Sequence, residues 1–509
     1  MSMNRVLEAD VIVVGGGTAG AVVAARLAER GHEVLVLEAG PDLGPFGDPR
    51  WPEDLLDATR LGVSYDWGFD SGDTIAGSRM RFERSRVIGG CSVHNGAVQT
   101  WGHRADYDGW AAAGNPGWST DELLPHFEQA SERLRVHTYE PTELTPWQEG
   151  WYSAGPAVGL PQLADLNDLD ETVGIAPESV NIVDGVRFNS AFAYLDPARA
   201  LPNLRILGDA LVDRVIVEGG RAVGVVYRCE DEEREARAPR VVLAGGTFCT
   251  PAVLLRSGIG APEQLARFGI PVVAALPGVG GNLHDQPFVL LSWEGSEAMT
   301  AAMTAARAAG WAPDEQVMAK AASRFDPALF DIHLLPFSPT QGHEGRLWNA
   351  GAGCLQPLSR GSVTLASVDP EVLPVVDHRF YSDPEGHDLA VLADGIALLR
   401  DLASVPTLAP IVGREIGAIA TLESDAEIAA YLSSHVDSYW HPVGTAAMGP
   451  ASDPLAVVDA RGEVHGVSGC FVADCSLMPA VPRATTAMPA TVIGERVAHL
   501  LIESMEREY

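Results

Sequence analysis

The stretch that decides the fold is ADVIVVGGGTAG, residues 9–20. Its first part, Val11 to Val14, is a short β-branched run that is typical of a buried parallel strand. The glycines that follow have the spacing G-x-G-x-x-G, at Gly15, Gly17 and Gly20. A buried strand that leads directly into such a loop predicts the start of a βαβ unit that binds a dinucleotide.

The residues after the loop complete this unit. Residues 21–30 repeat apolar positions at helical spacing, and Gly31 stands where a C-cap glycine belongs. A second strand, residues 33–37, ends at Glu38, whose carboxylate can accept hydrogen bonds from a ribose. The glycines allow a tight turn and close approach to a pyrophosphate, which the helix N-terminus attracts. These forty residues predict a dinucleotide site but do not distinguish NAD from FAD.

The composition of the 509 residues excludes several classes of protein. The chain is 46% hydrophobic, which is enough for large cores in two or more domains. Its net charge of −33 repels nucleic acids and anionic membranes, so we expect neither as a partner. The six cysteines form no CxxC pair, and no apolar run is long enough for export or for spanning a bilayer. We therefore expect a cytoplasmic protein without a metal site.

Further blocks follow the first unit in a fixed order. Together they resemble the glucose–methanol–choline (GMC) family of FAD-dependent oxidoreductases, and the resemblance extends over nearly the whole chain. Its specificity lies in the number and order of the blocks rather than in any one of them. The blocks are GGCSVHNG at 89–96, RADYDGW at 104–110, GNPGW at 114–118, VVLAGGTFCTP at 241–251, LPGVGGNL at 276–283, HPVGTAAMG at 441–449 and VADCSLMP at 472–479.

The resemblance implies an α/β fold, α+β overall, with a Rossmann-like FAD-binding domain and an interleaved antiparallel-sheet substrate domain. The FAD domain would take residues 1–150, 200–285 and 440–509, and the substrate domain residues 151–199 and 286–439.

Local patterns add detail to this division. We expect a hairpin at 210–227, a charged solvated loop at 229–240, and a substrate-side loop or lid at 293–326. Strands of a covering sheet are expected at 331–336, 353–358 and 361–366, and helices at 388–402 and 424–433.

The resemblance also implies the residues that contact FAD. The phosphates, ribose and flavin would each meet a separate segment of the chain. Val212 also fits a core valine, and Asp474 also fits a turn cap. The implied contacts are Gly15, Gly17 and Gly20 at the pyrophosphate, Glu38 at the ribose, Val212 at the adenine, Gly90, His94 and Asn95 at the flavin ring, and Asp474 at the pyrophosphate or ribityl chain.

His94 raises the question of a covalent flavin. Most relatives carry an apolar residue here, whereas a histidine is similar to the choline oxidase branch of the family, in which it is bonded to the flavin 8α-methyl group. The resemblance therefore leaves two interpretations, FAD attached covalently through His94 or a histidine that only packs against the ring.

The catalytic residue implied by the resemblance is His441, which would act as the general base while hydride passes to flavin N5. The family's second His or Asn corresponds to Ala487, which can neither donate nor accept a hydrogen bond. Thr485 or Thr486 could replace it, and His435 is a weaker candidate. His284 and Asp285 reverse the usual order of the family, and we assign neither a role.

The sequence thus predicts an FAD-dependent oxidoreductase that oxidises a primary or secondary alcohol to a carbonyl, with O2 or a quinone-like acceptor restoring the flavin. The gap at Ala487 leaves a non-redox lyase or decarboxylase on the same scaffold as the alternative. A third interpretation, an NAD-dependent dehydrogenase, would be supported by the glycine loop alone. A choline-like cation, an aryl alcohol and a sugar all remain possible substrates, and nothing indicates the oligomeric state.

Overall fold

A five-stranded parallel sheet lies at the centre of the FAD-domain segments. The computed structural model describes residues 6–71, 80–230, 232–338 and 347–507. The glycine-loop helix, Thr18–Glu29, connects two of the central strands, as the sequence predicts. This arrangement confirms the predicted Rossmann-like unit. In spatial order the strands are Leu204–Leu207, Val34–Leu37, Val11–Val14, Arg240–Leu243 and Cys470–Val472.

Glycine is required where the first strand turns into this helix. Gly15 has a φ of +96°, a region that side chains rarely adopt. A Cβ atom on Gly20 would lie 2.0 Å from the carbonyl oxygen of Gly15. The helix therefore crosses the strand at backbone contact, and its N-terminus is held at the carboxyl edge of the sheet.

The C-terminal helix, Ala487–Glu506, packs on the glycine-loop helix at equally short range. A Cβ atom on Gly494 would lie 2.7 Å from the carbonyl oxygen of Ala19. Two turns further along the first helix, Arg26 donates to both oxygens of Glu495 at 2.8 and 2.7 Å, and the Tyr194 hydroxyl donates to the same carboxylate at 2.8 Å. The two helices are thus fixed to each other by backbone contact and by a largely buried ion pair.

A second sheet contains the predicted hairpin. Strands Leu211–Glu218 and Arg221–Cys229 pair antiparallel, as expected. The prediction of a solvated loop at 229–240 is wrong, because Glu232–Arg237 forms a third strand beside Arg221–Cys229. Its charged side chains face solvent or form ion pairs, so the segment has the composition of a loop.

The substrate side is built on a seven-stranded antiparallel sheet. The strand predicted at 331–336 is confirmed as Ile332–Phe337. The strand predicted at 353–358 is wrong for most of its length, because the observed strand, Trp348–Cys354, ends at the second residue of that range. Residues 361–366 do not join this sheet either, since Ser362–Thr364 pairs only with Val375–Asp377. The remaining strands of the large sheet are Glu415–Ile416, Pro287–Trp293, Val317–Ala321, Gly174–Pro177 and Asp437–Ser438.

The segment 293–326 is not a lid. It contains the helix Glu297–Ala309, whose Met299 and Met303 are buried in the substrate-side core, and the strand Val317–Ala321. The predicted helices at 388–402 and 424–433 are confirmed as His387–Ser404 and Asp425–Leu432. Among the described residues, no helix combines the length and apolarity needed to cross a membrane.

Shorter elements connect these units. The other helices of the described chain are Glu53–Leu56, Arg104–Ala112, Thr120–Arg133, Pro146–Ala154, Asp196–Ala198, Gly246–Arg256, Pro262–Arg267 and Ala409–Val412. The small strand pairs are Phe69–Asp70 with Arg81–Phe82, His137–Thr138 with Ser179–Val180, Ile182–Val183 with Val186–Arg187, and Ile259–Gly260 with Ala274–Ala275.

Two large hydrophobic cores accompany the two main sheets. One surrounds the parallel sheet and draws on residues from all three predicted FAD-domain segments. The other lies between the antiparallel sheet and the helix His387–Ser404. The first core also includes residues 188–198, which that division assigned to the substrate domain. Apart from this stretch, we propose the domain division stated above.

The ion pair between the two helices yields a test of stability. Replacing Glu495 with Ala leaves Arg26 without its bidentate partner, so we expect a loss of about 3–5 kcal/mol in the free energy of unfolding. Urea denaturation followed by circular dichroism measures this. Glu503→Ala is the control on the same helix, because its ion pairs are exposed and are worth less than about 1 kcal/mol. Equal effects of the two substitutions would contradict the packing described here.

Candidate active site

A single elongated cavity of about 490 Å³ runs from the glycine loop to the substrate-side sheet. Its size is in the range of cofactor and ligand sites. Most of the predicted site residues line its wall, and only Gly20 does not, because it packs between strand and helix. The predicted residues that line the cavity are Gly15, Gly17, Glu38, Gly90, His94, Asn95, Val212, His441, Asp474, Thr485 and Thr486.

The phosphate end of the cavity is formed by two glycine loops in contact. A Cβ atom on Gly90 would lie 2.7 Å from the Cα atom of Gly17, and the φ of Gly90 is +53°. The helix that begins at Thr18 has no side-chain cap at its N-terminus. Bare backbone and an uncapped helix dipole favour a pyrophosphate at this place. The structure therefore fits a dinucleotide.

Glu38 lies deeper at the same end and is almost completely buried. Its carboxylate accepts backbone hydrogen bonds from Gly16 at 2.8 Å and Gly40 at 2.9 Å. Burial raises the pKa of Glu38, while these hydrogen bonds and the charge of Arg86 lower it. A carboxylate retains further lone pairs, so Glu38 can still accept a ribose hydroxyl.

Asp474 and Asn95 have structural hydrogen bonds as well as a place in the cavity wall. Asp474 caps the turn Cys475–Leu477 and accepts from Gly246 at 2.8 Å and from the Thr250 hydroxyl at 2.6 Å. It therefore holds the N-terminus of a second helix, Gly246–Arg256, at the cavity. The Asn95 side-chain oxygen accepts from Ala97 at 3.1 Å.

The loop at 89–96 brings two reactive side chains together next to Arg84. His94 lines the cavity, and Cys91 lies beside it with its sulphur 3.9 Å from Nη1 of Arg84. Burial alone would raise the pKa of the Cys91 thiol, but the hydrogen bond with His94 and the charge of Arg84 lower it to about 6. This loop therefore presents an imidazole and a thiolate to whatever ring binds above it.

At the opposite end, the ring of His441 is held in one orientation. Gln286 Nε2 donates to the carbonyl oxygens of Leu355 and Pro482, both at 3.1 Å. Gln286 Oε1 must then be the acceptor in its 2.7 Å contact with Nδ1 of His441. The proton of the imidazole is thereby assigned to Nδ1, and Nε2 carries the lone pair.

The surroundings of His441 also keep its ring neutral. Burial, reinforced by the charge of Arg84, lowers the pKa of His441 to about 3. Its backbone N–H donates to Asp285 Oδ1 at 2.8 Å, and Ser438 donates to the other oxygen of Asp285 at 2.6 Å. The chain thus offers an oriented, unprotonated imidazole at neutral pH.

His284 joins the segment that follows His441, through backbone pairing with Val443, to the loop that precedes the C-terminal helix. Its Nδ1 lies 2.7 Å from the carbonyl oxygen of Asn282, and its Nε2 accepts from the backbone of Val481 at 2.9 Å. With Asp285, it therefore positions the catalytic segment, a structural role for the reversed pair that the sequence left unassigned.

The position of the expected second catalytic residue contains Ala487, which lines the cavity. The Thr485 hydroxyl is engaged, since it donates to Val98 at 3.1 Å and contacts the Thr100 hydroxyl at 2.8 Å. The Thr486 hydroxyl has no side-chain partner within the described part of the chain. His435 is exposed and stacked on Tyr431, away from the cavity wall.

Three further residues at this end were not predicted: Gln286, Glu315 and Tyr439. Gln286 directly follows the unassigned pair at 284–285, so its position was visible but its partner was not. Glu315 belongs to the least matched part of the chain, and only the fold brings it to this cavity. Tyr439 lies two residues before His441, so its position was visible but its contacts were not.

Comparison with known proteins identifies the relatives of this architecture. Two family models described as GMC oxidoreductase match residues 9–288 and 357–494. The oxygen-dependent choline dehydrogenase 1 of Chromohalobacter salexigens is 32% identical, over 97% of this chain and 95% of that protein.

Solved structures of other oxidoreductases are similar to this fold over nearly its whole length. The crystal structure of pyridoxine 4-oxidase from Mesorbium loti superposes with a TM-score of 0.85 at 27% identity, covering 97% of this chain and 99% of that one. An FAD-dependent oxidoreductase from Chaetomium thermophilum has a TM-score of 0.84 at 25% identity, covering 98% and 100%.

Proposed function

The chain belongs to the GMC oxidoreductase family, and from this premise we propose that it oxidises a small alcohol carrying a positive charge, with His441 as the general base. It is an FAD-dependent oxidoreductase that acts on a CH–OH group. The observation that carries the proposal is the fixed, neutral imidazole of His441 at one end of a cavity whose other end fits a dinucleotide.

The chain's own residues divide the work between cofactor and substrate. The contacting loops around Gly17 and Gly90, with Glu38, Val212 and Asp474, would hold FAD. When bound, FAD supplies the acceptor for the hydride that the alcohol carbon loses. His441 Nε2 takes the hydroxyl proton, because Gln286 holds the proton on Nδ1 and the lone pair is therefore on Nε2 of a ring that lines the cavity.

The substrate class follows from charge and aromatic rings at the His441 end. The wall there contains Phe288, Phe337 and Tyr439, and the carboxylate of Glu315 lies next to Gly96, with Oε1 3.1 Å from the site of an added Cβ. Aromatic faces, together with the carboxylate that Glu315 carries above about pH 8, favour a quaternary or protonated amine. The relatives named oxygen-dependent choline dehydrogenases also support a cationic alcohol as the substrate, so choline is the first alcohol to test.

We also propose O2 as the electron acceptor, on the support of relatives named as oxygen-dependent. Oxygen consumption in the presence of choline distinguishes O2 from a quinone-like acceptor.

The role of His441 is tested by His441→Ala. Removing the base is expected to lower the rate of anaerobic flavin reduction by about 10²–10⁴-fold while the bound FAD is retained. Gln286→Leu keeps the base but removes the hydrogen bond that fixes the tautomer of His441, so we expect a smaller loss of rate, mainly in kcat. His435→Ala is the control histidine and is expected to match the wild type. A His441→Ala variant that reduces its flavin at the wild-type rate would exclude the proposed base.

The cationic substrate is tested by the pH dependence of KM. Burial and the charge of Asp314 raise the pKa of Glu315 to about 8, so the group is neutral below and negatively charged above that pH. We therefore expect the KM for choline to fall as pH rises through about 8, while that for the neutral isostere 3,3-dimethylbutan-1-ol stays flat. Glu315→Gln should abolish the dependence, and Glu297→Gln, an exposed control, should keep it.

Equal pH profiles for choline and its neutral isostere in the wild type would contradict recognition of the cation by Glu315.

Covalent attachment of the flavin through His94 is also a proposal. It is supported by the position of His94 in the cavity wall on the loop that contacts the glycine loop. We expect the yellow colour to remain with the acid-precipitated wild-type protein and to be released from His94→Ala. Colour released from the wild type would restrict His94 to packing, and colour retained by His94→Ala would point to Cys91 as the attachment site.

A further inference from the structure

The residue directly before the proposed base has an unusual backbone conformation. Trp440 has a φ of +58°, which lies in the left-handed region that bulky residues rarely adopt. Trp440 and His441 both line the cavity. A bulky residue keeps such a conformation only where the surrounding structure holds it there. The contacts that hold this turn therefore also fix the position of the base.

The peptide group between Trp440 and His441 is bound by a charged side chain on each side. Its carbonyl oxygen accepts from Arg84 Nη2 at 2.9 Å, and its N–H donates to Asp285 Oδ1 at 2.8 Å. Ser438 completes the turn, since its hydroxyl accepts from the N–H of Trp440 at 2.7 Å and donates to Asp285 Oδ2 at 2.6 Å. A cation at the carbonyl and an anion at the N–H form charge-assisted hydrogen bonds, which are stronger than neutral ones.

The histidine beside Asp285 does not neutralise its charge. Asp285 is 3% exposed, and Nε2 of the equally buried His378 lies 3.6 Å from its Oδ2. The ring of His378 is stacked between Phe82 and Phe380, with centroids at 4.1 and 5.0 Å. Burial, reinforced by the charge of Arg84, lowers the pKa of His378 to about 3. His378 is therefore neutral at the pH values at which Asp285 is charged.

The Asp285 carboxyl group can lose its charge in mild acid while the base stays neutral. Burial raises the pKa of Asp285 to about 6, although the hydrogen bond from Ser438 and the charge of Arg84 lower it. The pKa of His441 is about 3, so its imidazole does not titrate in this range. A protonated carboxyl group becomes a donor at one oxygen and loses the charge that strengthens its hydrogen bond with the peptide N–H. Acidification through pH 6 therefore weakens one of the two contacts that hold the turn.

Three other ionisable groups lie around this turn. The sulphur of Cys91 is 3.9 Å from Nη1 of Arg84, and the pKa of this thiol is about 6. Burial raises the pKa of Asp437, and Glu83 accepts from the indole N–H of Trp440 at 3.1 Å. Among the described residues, none of the three is bonded to the peptide group that precedes the base. They therefore provide controls for the titration of Asp285.

We infer that Asp285 and Arg84 are positioning residues that hold the strained turn at Trp440 from opposite sides, and that His441 lies in its reacting position only while the Asp285 carboxylate is charged. His441 remains the base and takes the substrate proton on Nε2. The loss of activity in mild acid is then a loss of the position of the base and not its protonation. The inference rests on the proposed function, in which His441 is the general base.

The first experiment measures the rate constant of anaerobic flavin reduction between about pH 5 and about pH 9. Saturating choline is used, so that the titration of Glu315, which acts on KM, does not enter. The wild-type rate constant should rise with pH through about 6 and then level off, because Asp285 becomes charged there. Asp285→Asn resembles the protonated carboxyl group. We expect it to lose about 10²-fold in rate above that pH and to show no rise through it.

Three further variants separate Asp285 from its neighbours. Asp437→Asn and Cys91→Ser should keep the rise in rate near pH 6. Ser438→Ala removes a hydrogen bond that lowers the pKa of Asp285, so the rise should move to higher pH, and this variant keeps the carboxyl group in place. A rise that survives in Asp285→Asn, that disappears in Asp437→Asn or Cys91→Ser, or that stays in place in Ser438→Ala would overturn the inference.

A second readout does not depend on turnover. In the FAD-bound protein labelled with ¹⁵N-histidine, the backbone amide signal of His441 is identified by its absence in His441→Ala. Its chemical shift should titrate with a midpoint near pH 6 in the wild type and stay constant in Asp285→Asn. A wild-type amide signal that does not titrate would overturn the inference. If choline fails to reduce the wild-type flavin, the proposed substrate class is wrong, and the amide titration still decides whether Asp285 holds the base.

Discussion

The close packing of the glycine-loop helix against the C-terminal helix is the constraint on which the site depends. The first helix begins at Thr18, at the phosphate end of the cavity, and the second begins at Ala487, at the substrate end. Gly494 lets the two backbones touch, and the buried carboxylate of Glu495 locks them in register. The distance between a bound pyrophosphate and the reacting groups is therefore a property of helix packing rather than of the loops.

Burial then gives the substrate end its chemistry. Burial of His441, reinforced by the charge of Arg84, disfavours a proton on its ring and keeps the imidazole neutral. Gln286 and Asp285 orient it through hydrogen bonds to a ring nitrogen and to the backbone.

Short sequence patterns were sufficient to predict the parts of the fold that depend on neighbouring residues. Gly15 and Gly20 were predictable because only glycine fits a backbone contact, and the two long helices because their apolar spacing is regular. The strand Glu232–Arg237 was missed, since an exposed strand rich in charge has the composition of a loop. Gln286 and Tyr439 could not be assigned, because their partners are distant in sequence and no local pattern encodes a tautomer or a shared cavity.

The central claim is that this cavity oxidises a cationic alcohol rather than performing non-redox chemistry. The most direct measurement is an anaerobic titration of the purified yellow protein with choline, followed by its visible spectrum and by analysis of the product. The account predicts loss of the flavin absorbance and one aldehyde formed for each flavin reduced. A flavin that keeps its oxidised spectrum with choline and with neutral alcohols would contradict it and favour a lyase or decarboxylase on the same scaffold.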